Sequence, residues 1–347
     1  MGLIPYTRPD IRVYLSEGTS KMLMAGSMFA GQKDIDRDRK SNVKPGKAFN
    51  IGGFKITAYN VDHSAYDSLA FIIEAEGKRV LYSGDLRLHG RKPGMAKRLM
   101  GVARGRIDVA LMEGTHTEPS VEQRVTEQGL ERQIIGHIRG TEGIMLAHFS
   151  PMHVDRLVTF FRAAKGTSRI FVADPYTAWV MYLICHQCKI PDPRTSTRIK
   201  VYYNRGFLKT YKGKNQQCVY DKFHGNRIEM EELVASPQRF LMAFRPTMLD
   251  QDFGGKLPQG SCCIYSYWPG YLERPQSAGL EQKVASAGAR FIKAHTSGHI
   301  FAEDTAEFLR GIDPKVVIPI HTFNPEAFRG LGRQVRILND GEPYEVT

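Results

Sequence analysis

The sequence predicts a mixed α/β protein whose strands end on metal-ligating side chains. Two observations carry that reading. Short apolar runs stop directly at an acid or a histidine: Val80-Leu81-Tyr82 precedes Ser83-Gly84-Asp85, Val109-Ala110-Leu111-Met112 precedes Glu113, and Val316-Val317-Ile318-Pro319-Ile320 precedes His321. Through the middle of the chain, strand-like runs alternate with helix-length segments, the βαβ pattern of a parallel sheet. A strand end is rigid, so ligands held there can be aimed at one shared site.

In chain order, Ile11 to Leu15 reads as a strand and Ser16 to Phe29 as a helix with Met22, Leu23, Met24 and Met28 on its apolar face. The charged stretch 31–47 reads as a surface loop. Strands follow at Phe54 to Val61, Leu69 to Glu74 and Arg79 to Tyr82, the last two joined by a Glu76-Gly77-Lys78 turn. A helix around Met95 to Val102 leads to a strand at Asp108 to Met112. Ser120-Val121-Glu122-Gln123 has capping-box form and predicts a helix to about Arg139. Beyond it the pattern predicts strands at Gly143 to Ala147, Ile170 to Ala173, Arg239 to Phe244, Ser261 to Tyr265, Arg290 to Lys293 and Lys315 to Ile320. Helices are predicted at His153 to Ala164, Ala178 to His186, Gly279 to Ala287 and Ala302 to Gly311.

Composition narrows the class. The chain has 347 residues, 42% of them hydrophobic and 24% charged, which is ordinary for a globular protein. No run approaches the ~18 apolar residues of a membrane span. The start, Met1-Gly2-Leu3-Ile4-Pro5, has no basic leader, so a cytoplasmic location is expected. Five cysteines cannot all pair within the chain, and Cys185-His186-Gln187-Cys188 is expected to pack its thiols apolarly behind a buried helix. A net charge of +12 favours a polyanionic partner, because basic side chains release counterions when they neutralise phosphates. Basic residues between Arg194 and Lys222 are interleaved with Tyr202, Tyr203, Phe207, Tyr211 and Tyr220, as in single-strand-binding grooves.

Individual residues then acquire candidate roles. His63 follows an alternating strand and is a candidate zinc ligand, with Asp67 positioned to orient it. Asp85 follows Gly84, which lets the backbone turn sharply, and a carboxylate there fits a bridge between cations. Glu113 can hold a histidine in one tautomer. His299, in Thr296-Ser297-Gly298-His299 just before a helix, suits protonation of a leaving alkoxide. His321 ends a fully apolar strand and is a candidate ligand. Ser150, His153 and Arg156 lie on a strand-to-helix turn whose backbone amides could cradle a phosphate.

Taken together these motifs resemble the β-CASP branch of the metallo-β-lactamase superfamily, which includes ribonuclease J and the endonuclease that cleaves pre-mRNA before polyadenylation. His63 matches the family's third metal-binding motif, Gly84-Asp85 the fourth, Glu113 motif A, His299 motif B and His321 motif C. The resemblance implies a metallo-β-lactamase αββα sandwich, truncated at its N-terminus, with an inserted Rossmann-like β-CASP domain. Its parts would be 1–149 (first scaffold part), 150–285 (insert) and 286–347 (second scaffold part), with the site in the cleft between scaffold and insert. It further implies a two-zinc (Zn2+) phosphodiesterase acting on RNA, with DNA as a second option, no membrane partner and a homodimer left open. Asp85 would bridge two zinc ions, His63 and His321 would each hold one, and His299 with Glu113 would protonate the leaving oxygen.

The sequence departs from this family in two places. It contains no HxHxDH motif; segment Gly2-Leu3-Ile4-Pro5-Tyr6 is similar to what directly follows that motif in the family. Four expected ligands are therefore missing, and the resemblance implies weakened zinc binding and little or no nuclease activity for this chain. Tyr265-Ser266-Tyr267-Trp268-Pro269 stands where ribonuclease J has a Gly-Ser-Gln-Gly-Glu-like stretch. The alternatives are a non-catalytic RNA-binding β-CASP subunit and a small-molecule metallo-hydrolase.

Overall fold

The computed structural model describes residues 7–116, 124–214, 216–275, 277–332 and 334–347. The Ser120-Gln123 capping box and the segment 2–6 lie outside them. The chain is a mixed α/β protein that divides into two units. One comprises residues 7–20 with Ile35–Thr126 and Ser297–Thr347; the other comprises Lys21–Asp34 with Glu127–Thr296. The boundaries lie outside the expected 150 and 285, because the middle unit's sheet already includes Met145–His148 and still includes Arg290–Lys293.

The first unit opens with β1 (Val13–Leu15), paired in parallel with β2 (Lys40–Asn42). Helix α1 (Glu17–Ala30) starts where the Ser16 hydroxyl accepts the Thr19 amide at 3.0 Å, an N-cap. The expected surface loop 31–47 instead carries β2 and a buried Arg39, whose Nε donates to the Ile11 carbonyl at 3.0 Å. Five further strands follow: β3 (Ala48–Ile51), β4 (Phe54–Asn60), β5 (Leu69–Ala75), β6 (Lys78–Tyr82) and β7 (Val109–Glu113). Glu76 (φ 50°) and Gly77 (φ 75°) both take left-handed backbone, the two-residue turn that matches strand twist, and so fix the β5–β6 register.

With β14 (Val316–Ile320) these strands form a sheet in the order β14-β7-β6-β5-β4-β3. β14, β7 and β6 run parallel, while β5 is antiparallel to both β6 and β4. β4 therefore points the same way as β6, and the C-terminal ends of β4, β6, β7 and β14 share one edge. Pro319 is tolerated because β14 is an outer strand. One face packs Ile72, Leu81, Ala110 and Val317 against Leu99 and Ala103 of α2 (Pro93–Ala103) and Phe308 and Leu309 of the helix Ala302–Ile312. On a smaller cluster, Val109, Val316 and Ile318 meet Leu338, Tyr344 and Val346 of the C-terminal segment. The expected second β layer of an αββα sandwich is not formed among the described residues, where the β1–β2 pair is the only other sheet of this unit.

The other unit holds a six-stranded, fully parallel sheet: β8 (Met145–His148), β9 (Ile170–Ala173), β10 (Ile199–Val201), β11 (Phe240–Ala243), β12 (Cys262–Tyr265) and β13 (Arg290–Lys293), in the order β10-β9-β11-β8-β12-β13. β11 lies between β8 and β9, a departure from the expected Rossmann order. All residues of the central strands β8, β11 and β12 are buried, as parallel strands covered on both faces require. The sheet is flanked in sequence by α3 (Glu127–Arg139), α4 (Val154–Gly166) and α5 (Pro175–Ile184).

Helix α5 is set by one acid. Asp174 accepts the Thr177 amide at 3.0 Å as N-cap, Pro175 supplies the first helical φ, and the Arg245 guanidinium donates to both carboxylate oxygens at 2.8 and 3.0 Å. Burial alone would raise this carboxyl, but Arg245 and the Thr177 contacts hold it below the ordinary 3.8. Its stabilisation is therefore present above about pH 4 and lost as pH falls through the lowered value. We expect Asp174→Asn, which leaves Arg245 unmatched, to cost about 3–5 kcal/mol at neutral pH. Denaturant titration at several pH values checks this, and the gap to wild type should narrow in acid.

Candidate metal centre

Four strand ends and one loop build the site. At the end of β6, Ser83 donates its hydroxyl to the Gly84 carbonyl at 2.7 Å and accepts the Glu113 amide at 3.1 Å, which stitches the β6 and β7 ends together. The Gly114 amide donates to the Ile320 carbonyl at 3.0 Å and stitches β7 to β14. Gly84 has φ 57°, and a Cβ there would lie 2.5 Å from the Leu69 carbonyl oxygen, so only glycine lets the chain turn and present Asp85. His321 itself has φ 50°, a left-handed conformation uncommon outside glycine and of the kind that clusters at functional sites.

The five side chains converge. His321 Nδ1 lies 3.0 Å from Asp85 Oδ1. The His299 ring neighbours both His63 and His321, with centroids at 4.9 and 5.4 Å. His299 Nδ1 is 3.3 Å from Glu113 Oε1, and the Thr115 hydroxyl lies 3.1 Å from His299 Nδ1 and 3.3 Å from His321 Nδ1. Two groups could hold a cation, each with donor atoms within 4.8 Å of one another: His63, Asp85 and His299, and Glu113, His299 and His321. Carboxylate oxygens and imidazole nitrogens are a donor set that zinc accepts; His299 belongs to both groups, so where it keeps its proton each group retains two donors. All five belong to the first unit.

Electrostatics divide the roles. Burial, then the charges of His299 and Arg87, push His63 down to about 3, so at neutral pH its ring is an uncharged donor. His299 goes the other way: burial opposes its charge, but the hydrogen bond and charge of Glu113 raise it above 6.5. Glu113 is fully buried, which alone would raise it; His299 and the backbone amides of Thr115 and Leu86 bring it below its usual value.

Beneath the ligands lies a network that sequence reasoning missed. Arg87 is fully buried. Its Nε donates to Asp62 Oδ1 at 2.9 Å and its Nη1 to the Ser297 carbonyl at 3.0 Å. One guanidinium thus ties the residue before His63 to the loop that carries His299. His89 Nε2 lies 2.9 Å from the same carbonyl, and His116 Nε2 lies 2.6 Å from the Ser297 hydroxyl. At Gly298 the loop passes so close that a Cβ would sit 2.4 Å from Ser64 Oγ and 3.2 Å from His63 Nε2. The Asp62-His63 adjacency was a usable signal; that Arg87 is buried and pairs with Asp62 was not visible.

Other expected residues go elsewhere. Asp67 does not reach His63: its oxygens accept Asn60 Nδ2 at 2.6 Å and the Gly18 amide at 3.0 Å, tying the end of β4 to the start of α1. Ser150, His153 and Arg156 form no open phosphate cradle. Arg156 is fully buried, and the anion it meets is the protein's own Glu127, at 3.1 Å, with His153 Nε2 at 3.5 Å and the Thr159 hydroxyl at 3.0 Å from the same carboxylate. Tyr202, Tyr203 and Phe207 are buried, and Tyr202 donates to Asp252 at 2.8 Å, so the aromatic set is mostly packing rather than a stacking platform.

Residues 2–172 match the family model described as a beta-lactamase superfamily domain, just under half of the chain. That stretch is a metallo-beta-lactamase-like domain, and proteins of this superfamily often bind metal ions. A crystal structure of a protein of unknown function from Enterococcus faecalis V583 is similar over 98% of this chain and 76% of its own, with a TM-score of 0.78 and 21% identity, which shows a shared fold. Comparison with curated proteins returns no match. Among the described residues, no helix is long and apolar enough to cross a membrane.

Arg87→Met should strand the buried Asp62 carboxylate and cost about 3–5 kcal/mol, and Asp62→Asn in the same chain should restore part of it. Denaturant unfolding of both single variants and the double variant measures this coupling.

Proposed function

We propose that this chain carries the site of a metal-dependent phosphodiester hydrolase of the β-CASP type, directed at RNA in processing or decay. The observation that carries the reading is the convergence of His63, Asp85, Glu113, His299 and His321 at one edge of a sheet. His63, Asp85 and His321 would hold zinc. When bound, a divalent cation supplies Lewis-acid polarisation of the phosphate.

The chain's own groups do the rest. His63 is kept neutral and so offers a lone pair at physiological pH. Glu113 holds His299 oriented through Nδ1 and favours its protonated form, which places a proton donor beside the ligands for the leaving oxygen. Thr115 spans His299 and His321 and limits rotation of both rings. The preference for RNA rests on the net charge of +12 and on a pocket of about 360 Å3, lined in part by Tyr59, Asn60, Lys92 and Arg98, that sets two cationic side chains near the end of β4. Phe323, fully exposed two residues beyond His321, offers a face on which a base can stack.

Without an HxHxDH motif the ligand set is reduced, so this 347-residue chain is expected to bind RNA in a salt-sensitive way and to turn it over slowly or not at all. Binding of a fluorescent single-stranded RNA across a salt series, followed by a cleavage assay with added zinc, tests both parts. Salt-insensitive or absent RNA binding would count against the substrate class. Zinc-dependent cleavage at a rate typical of enzymes, abolished by Asp85→Ala, would refute the expected inactivity.

A further inference from the structure

Outside the strand-end cluster, a second group of metal-ligating side chains lies in the other unit, where α5 ends. Cys185 is the C-cap of that helix, and His186 follows in the next turn. One donor atom from each of Cys185, His186 and Asp192 lies within 4.8 Å of the others. The expected apolar packing of the Cys-x-x-Cys thiols is not what the fold provides: Cys185 and Cys188 are half-buried, in contrast to Cys262 and Cys263 in the core of the parallel sheet.

We propose that Cys185, His186 and Asp192 form a second divalent-cation site, for a borderline-soft ion of the zinc class. The donor chemistry supports this: a thiolate, an imidazole and a carboxylate are all zinc ligands, whereas a harder cation such as magnesium or calcium takes oxygen donors. The backbone supports it as well. The last carbonyls of a helix carry partial negative charge, and a cation at the C-terminus of α5 gains from that field. Cys185 Sγ now donates to the Tyr182 carbonyl at 3.2 Å, so thiol and helix end already face each other.

The third donor is held in place before any ion arrives. Asp192 stands between Pro191 and Pro193, whose rings restrict the chain on both sides. Its carbonyl accepts the Thr195 amide at 3.2 Å and the Ser196 amide at 3.0 Å. Its carboxylate accepts from Arg194 Nε and Nη2, the latter at 2.6 Å, and Arg194 in turn lies over the Tyr182 ring at 4.8 Å. Arg194 both fixes the carboxylate and competes with a metal ion for it, which sets a moderate rather than extreme affinity. Cys188 completes the Cys-x-x-Cys spacing; its Sγ is turned 3.1 Å from the Ile184 carbonyl and is not among the preset donors.

Binding replaces the proton of the Cys185 thiol with the cation and releases that proton to solvent. Because binding displaces a proton, affinity should climb with pH. The role that fits is structural: an ion here pins the end of α5 to the 190–196 loop. This inference does not rest on the proposed hydrolase activity.

Cobalt(II) titration of the reduced, chelator-treated chain tests it. A cysteine thiolate bound to cobalt gives a near-ultraviolet charge-transfer band, which the strand-end cluster cannot produce because it contains no cysteine. We expect the band in wild type and in a His63→Ala/His321→Ala variant. We expect its loss in Cys185→Ser and at least a tenfold weaker cobalt affinity in His186→Ala, where the exposed position makes misfolding an implausible cause. No charge-transfer band at saturating cobalt, or a band unchanged in Cys185→Ser, would overturn the proposal.

Discussion

A single buried guanidinium holds the candidate metal centre together. His63 and His299 are 236 positions apart in a 347-residue chain, and neither sits within a regular element. Arg87 reaches both of their segments at once through Asp62 and the Ser297 carbonyl. A charge taken out of water is costly unless it is matched, so a fully buried arginine forces its partners into fixed places. Gly298 then allows the His299 loop to approach His63 more closely than any side chain would permit. Strand ends supply the remaining ligands with little further adjustment, since β6, β7 and β14 are parallel neighbours.

A second layer of the same logic governs proton placement. Glu113 occupies the floor of the site with its oxygens shared among the amides of Leu86, Thr115 and Ile300 and the ring of His299. Those donors keep a buried carboxylate charged, and the charge keeps His299 a proton carrier while burial keeps His63 a neutral donor. Two histidines with ring centroids 4.9 Å apart are thereby pushed in opposite directions. Separation of this kind divides ligand from acid within one pocket.

Much of this was legible in the sequence, and the reasons for the failures are physical. Strand ends were readable because apolar runs stop abruptly at Asp85, Glu113 and His321. Ile170–Ala173 forms at the residues expected, since a buried parallel strand is short and uniformly apolar, and Arg290–Lys293 forms as expected at the sheet edge, around the apolar pair Phe291-Ile292. Strand β3 was missed because three of its four residues are exposed and it lies at a sheet edge, where alternation is weak. Arg156 and Asp67 were misread for a shared reason: sequence shows that a charge exists but not which charge it faces. Glu127 and Arg156 are brought together by the packing of α3 on α4, and Asp67 by the start of α1. The aromatic residues after Arg194 were likewise read as a surface because cations surround them, although the rings of Tyr202, Tyr203 and Phe207 pack inward.

The central claim is that Asp85 with His63 and His321 supplies metal ligands while Glu113 holds His299 as the proton donor beside them. Nitrogen-detected NMR of the histidine rings during zinc titration addresses it most directly. The account predicts that His63 and His321 shift together toward metal-bound values, that His299 stays protonated on the ring nitrogen away from Glu113, and that Asp85→Asn abolishes the His63 and His321 shifts. Rings of His63 and His321 that remain unchanged at saturating zinc, or a His299 that loses its proton and binds the ion first, would contradict it.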